Sequence, residues 1–308
     1  MTTVDSHNAT HAEAGKGLFF GITAYLIWGF FPVFFKAIGA VPPLQIVSHR
    51  IVWSIVFLLL LSCTGKRWGD VRAALTDRRS LQILIVSAIL IATNWLVFII
   101  AVGHGQVLQS SLGYFITPFV SVLLGMIFLK EQLRRLQLLS LLLADSGVIA
   151  LTIHYGSIPW TALILAVTFG SYGLLRKVVK TDALAGLTVE TLLLAPLAGG
   201  YLLLVARNGH AAFPSAGLQT SLLLMSAGVV TAIPLLLFAA AARRLKLATI
   251  GFLQYITPTL HFLLAVVVYQ EPFSSAHLAS FICIWAGLVC YSWDAWRALS
   301  AQRAQIKA

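Results

Sequence analysis

The sequence predicts an all-α integral membrane protein of ten transmembrane helices, arranged as an inverted five-plus-five repeat. Three observations predict it. Of the 308 residues, 59% are hydrophobic and only 10% are charged, and the mean hydropathy is +0.91. The apolar residues fall into ten runs, each close to the ~20 residues that cross a hydrocarbon core of about 30 Å. Landmark residues of the first half return about 140 positions later. A soluble domain carries about 25% charged residues, and a disordered chain combines low hydrophobicity with high net charge. Both classes are excluded.

Residues 1–16 form a polar N-terminal tail without the charged-then-apolar layout of a cleaved signal peptide, so the first apolar run is expected to remain as an anchor. The predicted spans are 17–36, 44–64, 81–101, 107–129 and 135–154 in the first half. In the second they are 158–176, 186–206, 219–241, 248–269 and 277–297, followed by a short tail over 298–308. The polar corner from Lys130 to Arg135 separates spans four and five as a helical hairpin. Gly17, Gly21 and Gly29 form a small-residue stripe that predicts close helix packing in span one.

The net charge of +11 suggests nucleic acid in a soluble protein. Here Lys and Arg lie in the short connections, where they orient helices, so no nucleic-acid partner is expected. With the N-terminus inside, 18 of the 21 Lys and Arg fall on the inner side. Lys36 and Arg207 are outside and Arg50 is within a span. Both termini are therefore expected in the cytoplasm, in a multi-pass membrane protein. Trp68, Trp160, Trp293 and Trp296 sit at span ends as an interfacial belt. Asp294 is expected to pair with Arg297, three residues on. Cys63, Cys283 and Cys290 lack any metal-ligand or disulfide spacing and are read as small packing residues. No metal or other cofactor is expected.

Ile116-Thr117-Pro118 returns as Ile256-Thr257-Pro258, an offset of 140. At the same offset Glu131 matches Glu271, Ser140 matches Ser280 and Gly147 matches Gly287. Asn94 falls on Pro234 and Phe98 on Phe238, while Gly29 and Lys36 match Gly170 and Lys177 at an offset of 141. The halves are thus 17–154 and 155–297. Five spans is an odd number, so the second half enters the membrane from the opposite side. Inverted repeats of this kind build a midplane site that can open to either face.

These residues also carry a resemblance. Trp28-Gly29 with Lys36, Arg50, and the proline–glutamate–glycine spacing in both halves resemble the EamA repeat of the drug/metabolite transporter superfamily. The stretches Tyr25 to Lys36, Ser48 to Ser54, Ser111 to Pro118 and Thr231 to Pro258 resemble its RarD branch, the chloramphenicol-sensitive permeases. Ser140 and Ser280 stand where the EamA pattern usually has glycine. The resemblance implies outward movement of a small metabolite or drug by ten inverted-repeat helices in a bacterial inner membrane, with helices five and ten outside the pathway.

Ionisable groups within spans are costly and mark function by default. They are His49, Arg50, Asp145, Glu190 and His261, with Asn94 and Gln254 as neutral partners. At ~1.5 Å per residue, Arg50 and Glu190 lie roughly 14 Å apart along the membrane normal, too far for a direct pair. Asp145 matches Arg50 better in depth. Glu190 leads as a proton-coupling carboxylate, because low dielectric favours the neutral form of an acid. Its alternative is a structural pair near the inner interface. Arg50 either binds an anionic or electron-rich part of a solute or neutralises a buried carboxylate. Asp145, His49 and His261 are further proton candidates or, equally, structurally satisfied groups.

Pro118 and Pro258 lie mid-span, and each frees the carbonyl four residues earlier, that of Tyr114 or Gln254. Such carbonyls are tolerated at depth where they line protein or a wet cavity. Tyr114, Gln254 and Tyr255 are therefore expected along the pathway. No GxxxxGK[ST] loop is present, so the chain cannot hydrolyse ATP itself. HExxH and GxSxG are absent as well, which points away from an enzyme. The reading is a secondary transporter for a small-molecule solute in the lipid bilayer, with H+ as the coupling ion to test. A sensor or assembly protein without net flux is the alternative, and a homodimer stays open.

Overall fold

The computed structural model describes residues 3–39, 41–103, 107–155, 160–268, 270 and 275–307. Among these residues the chain is helical, with no strand. Each predicted span falls on helix. Helix α1 (Thr3–Gly29) and α2 (Phe31–Ile38) cover span one, α3 (Pro43–Thr64) span two, and α5 (Arg78–Gly103) span three. Helices α6 (Val107–Leu129) and α7 (Arg135–Tyr155) follow, then α8 (Trp160–Val178), α9 (Ala183–Arg207) and α10 (Leu218–Ala242). Span nine is built from α11 (Leu247–Gln254), α12 (Ile256–Leu263) and a π-helical turn at Leu264–Val268, and span ten from α13 (Ser275–Lys307). Seven of these segments, among the described residues, are long and apolar enough to cross a membrane. The short α4 (Trp68–Thr76) was not foreseen, and both polar tails join helices: α1 begins at Thr3 and α13 runs to Lys307.

Two spans break, for identifiable reasons. Pro32 stands in the first turn of α2. Its missing N–H releases the carbonyl of Trp28, one turn back. That carbonyl is met by Nε2 of His261 at 3.1 Å. Helix α11 ends at Gln254, so Tyr255 interrupts the span three residues before Pro258, whereas α6 runs through Pro118 unbroken. The start of α11 is capped by Glu131, whose two oxygens accept from the amides of Leu247 (2.8 Å) and Ala248 (3.1 Å). A carboxylate there suits the positive end of the helix dipole. Glu271, its match in the repeat, lies outside the described residues.

Helices pack in pairs that repeat across the two halves. Helix α3 packs on α9, α6 on α11, and α7 on α13. The contact of α1 with α10 has its counterpart in α8 with α5, and that of α3 with α10 in α9 with α5. At the α7–α13 crossing, a side chain on Gly147 would lie 2.7 Å from the carbonyl of Ser280, and one on Gly287 2.6 Å from that of Ser140. The serines of this crossing are buried and the glycines let the backbones meet. Gly17, Gly21 and Gly29 similarly face Leu245, Leu253 and Leu260 at close range.

The polar pairing corrects one expectation. Asp294 bonds Nε of Arg134 at 2.6 Å and not Arg297 on its own helix, tying α13 to the corner before α7. Trp68, Trp160 and Trp293 are exposed, and the side chain of Trp296 lies outside the described residues. Cys63, Cys283 and Cys290 are free thiols, with Cys63 exposed.

Candidate substrate cavity

A partly open cavity lies between α1, α2, α3, α5, α6, α8, α10, α11 and α12. Its wall is mostly aromatic with a few polar groups, the make-up of a small-molecule site. Three repeat-related pairs contribute both members to its wall. They are Trp28 with Phe169, Trp95 with Leu235, and Tyr114 with Gln254. Trp28 and Phe169 meet edge to face at 5.5 Å. The cavity therefore draws on matching positions of both halves of the sequence.

Arg50 is its one cationic lining residue, and it is only 4% exposed. Its Nε donates to Oγ1 of Thr231 at 2.9 Å. The guanidinium lies 4.8 Å from the Trp95 ring centre, 5.3 Å from Phe35 and 5.9 Å from Phe31. Such cation–π contacts stabilise a desolvated guanidinium by about 2 kcal/mol or less each. Asn94 is fixed by its amide, which donates to the carbonyl of Leu165 (3.0 Å) and to Thr168 Oγ1 (2.9 Å). Tyr114 packs between Phe98 and His261. Two buried oxygens in this wall, Tyr25 Oη and Gln254 Oε1, have no hydrogen-bond partner.

Of the residues expected along a pathway, Arg50, Asn94, Tyr114 and Gln254 border the cavity, and so does His261. Pro118, Tyr255 and Pro258 do not. The Pro118 carbonyl turns instead to the α6–α11 contact, where it leaves no room for a side chain on Gly251. Tyr255 turns into the apolar cluster with Phe252 and the α7–α13 pair, and Pro258 is buried in α12. A proline locates a break in a helix without saying which face the freed groups take.

Glu190 also stands away from the cavity. Its carboxylate is 1% exposed and pairs with Arg176, itself fully buried, at 3.3 Å. Ser87 Oγ donates to it at 2.5 Å and Tyr172 Oη at 3.4 Å. Arg176 further bonds the carbonyl of Ala183 at 3.1 Å, and a side chain on Gly186 would collide with the guanidinium. Asp145 makes no ion pair with Arg50, and its Oδ2 has no hydrogen-bond partner. His49 packs against Phe213 at 5.4 Å, with Nδ1 unpartnered. Among the described residues no cluster of His, Cys, Asp and Glu could hold a metal.

The structure adds Phe31, Phe35, Trp95 and Phe169 to the cavity and Arg176, Tyr172 and Ser87 to Glu190. A signal for several of these was present. Arg50 and Glu190 are themselves 140 residues apart, and Phe31 and Phe35 match Tyr172 and Arg176 at 141. Reading the repeat around these charges would have placed Arg176 beside Glu190.

With this geometry the relatives can be weighed. The EamA-like transporter family matches residues 15–153. An uncharacterised transporter of Vibrio cholerae is 47% identical over 94% of this chain and 96% of its own. The chain belongs to the EamA-like transporter family, on its RarD branch. The protein RarD of Salmonella typhi is 45% identical over 92% of this chain and 96% of its own. A solved crystal structure at 18% identity superposes with a TM-score of 0.69, covering 92% of this chain and 99% of that one, which speaks to the fold alone. The protein is a multi-pass inner-membrane protein of a transporter family, acting on small-molecule solutes in a lipid bilayer.

Proposed function

We propose that the chain is a secondary transporter that exports a small metabolite or drug by alternating access. Ten spans form two inverted repeats, over residues 17–154 and 155–297, with both termini cytoplasmic. The observation that carries this reading is the asymmetry of a symmetric frame. Both members of three repeat-related pairs line the central cavity, yet only the Arg50 end extends it. The Glu190 end is closed by the buried Arg176–Glu190 pair. In an inverted repeat, exchanging the two conformations exchanges which end is open. With both termini in the cytoplasm, as the loop charges suggest, Arg50 lies on the outer side, and the proposal takes this conformation as the outward-facing one. Helices α7 and α13 stand outside the pathway as a mutual pair.

Opening the inner end separates Arg176 from Glu190. A buried carboxylate left without its partner costs several kcal/mol, and a proton bound by Glu190 removes that charge. Inner opening is thereby coupled to H+. His261, in the cavity wall, is a second site for the proton, whereas Asp145 and His49 stand outside the wall.

Uptake of labelled chloramphenicol into everted inner-membrane vesicles, with and without an imposed proton gradient, tests this. The RarD resemblance selects that probe. Gradient-dependent uptake that Glu190→Gln abolishes is the expected result. Full gradient-driven uptake by Glu190→Gln removes the coupling role. No flux above empty vesicles for chloramphenicol or an aromatic-acid panel removes transport.

A further inference from the structure

Positions 50 and 190 are the same place in the two repeats, and they carry opposite charges. At 190 the carboxylate meets a guanidinium, a hydroxyl and a phenol from its own surroundings. At 50 the guanidinium meets two phenylalanines at the positions that match Tyr172 and Arg176. Among the described residues it has one hydrogen bond, to Thr231, and no carboxylate within ion-pairing distance. A guanidinium has five N–H donors, and a charge removed from water needs a partner. The rings flank Arg50 without accepting those hydrogens.

The rest of the wall says what kind of partner fits. Among the described residues of the wall, eight are Phe, Trp or Tyr and none is Asp or Glu. An ammonium group entering the cavity would find no counter-charge, and the Trp28 carbonyl that could accept from it is already used by His261. The unused Tyr25 hydroxyl can donate to a second oxygen of the same solute, and the unused Gln254 Oε1 can accept from a solute hydroxyl. We propose that the cavity binds an aromatic organic anion, its single oxyanion on Arg50 and its ring between Trp28, Trp95 and Phe98. This rests on the transport reading above and narrows it to a substrate class. Solute binding then supplies, at the Arg50 end, the opposite charge that the chain itself supplies at the Glu190 end.

The test uses three probes with one ring and three charges: phenylpropionate, phenylpropanamide and phenylpropylamine. Quenching of tryptophan fluorescence reports binding to the purified full chain at neutral pH, since Trp28 and Trp95 line the cavity. The acid is expected to bind about tenfold or more tighter than the amide, the range of a charge-assisted pair, with the amine weakest. Arg50→Gln should bring the acid down to the level of the amide, and an unchanged melting temperature shows that the variant is folded. Arg50→Lys should retain part of the preference. An amide that binds as well as the acid, an acid preference that survives Arg50→Gln, or no binding by any of the three overturns the assignment. Counterflow in proteoliposomes separates the two readings. Acid binding without flux leaves the anion site and retires transport, whereas flux of amide or amine without acid preference does the reverse.

Discussion

In the cavity wall Arg50 lies across Phe31, Phe35 and Trp95; away from the cavity, its match in the sequence repeat, Glu190, lies against Arg176, Tyr172 and Ser87. The helices that carry them are repeat-related, and so are the positions. The Glu190 end satisfies its charge internally and is sealed. The Arg50 end keeps its charge out of water but leaves hydrogens unused, and the cavity runs to it. Two matching positions thus differ in the partners that surround a single buried charge, and on the reading proposed above that difference separates a closed end from a solute-receiving one.

Breaking the sealed end should have the largest effect. Arg176→Gln leaves a buried carboxylate unpaired and should cost about 3–5 kcal/mol of stability, seen as a lower melting temperature in detergent. The double change Arg176→Gln with Glu190→Gln should recover much of that loss. If the double variant is no more stable than the single one, internal neutralisation is not what holds this end together.

The Arg50 end depends on a close approach instead. A side chain on Gly228 of α10 would come 2.5 Å from the Ser54 backbone nitrogen and 2.5 Å from Trp53 Cβ on α3. Gly228→Ala should therefore cost about 1–3 kcal/mol by overpacking, and it should disturb acid binding more than Arg176→Gln does. Its match in the other half is Ala88, already carrying the methyl group. An unchanged melting temperature for Gly228→Ala would mean that α3 and α10 part freely.

A smaller change sharpens the comparison. Thr231→Val removes the bond that aims Arg50 and nothing at the Glu190 end. It should weaken phenylpropionate by about threefold to tenfold with little change in melting temperature. A fall in stability as large as that of Gly228→Ala would make Thr231 a packing residue.

The smallest effect belongs to an exposed group. Asp77 accepts from the amide of Ser80 at the start of α5, and the bonds from Ser80 hold its carboxyl below the usual carboxylate range. A lowered value means its stabilisation is complete above that range and fades as pH falls through it. Asp77→Ala should lower the melting temperature slightly at neutral pH, and the difference should vanish in strong acid. A difference that grows in acid would reverse the assignment.

Parts of this comparison were readable from the residues. The ten runs landed on helices because length and hydropathy are local properties. Gly147 with Gly287 and Ser140 with Ser280 stand out in the sequence as repeat landmarks, whereas their meeting at the α7–α13 crossing appears only in the fold. The break at Phe30 was not read, although Pro32 stood in the chain, and α4 is too short to announce itself. Arg50 and Glu190 were singled out as costly charges, but Arg176 was counted only as an inner-loop charge. It was assigned to a span end by position, and its side chain turns inward beneath Gly186.

The sequence by itself determined the class of solvent, the apolar runs that became helices, the repeat and the few charges that had to matter. Each follows from composition, length or spacing along the chain. The tertiary structure decided which of those charges share a cavity and which are neutralised. The physical reason is that a membrane helix is apolar toward lipid and toward its neighbours alike, so its periodicity does not reveal the inward face. Facing is set by close approaches such as Gly29 on Leu260 and Gly228 on Ser54, made between residues far apart in the chain. Those contacts put Arg50 on the cavity and Glu190 behind Arg176.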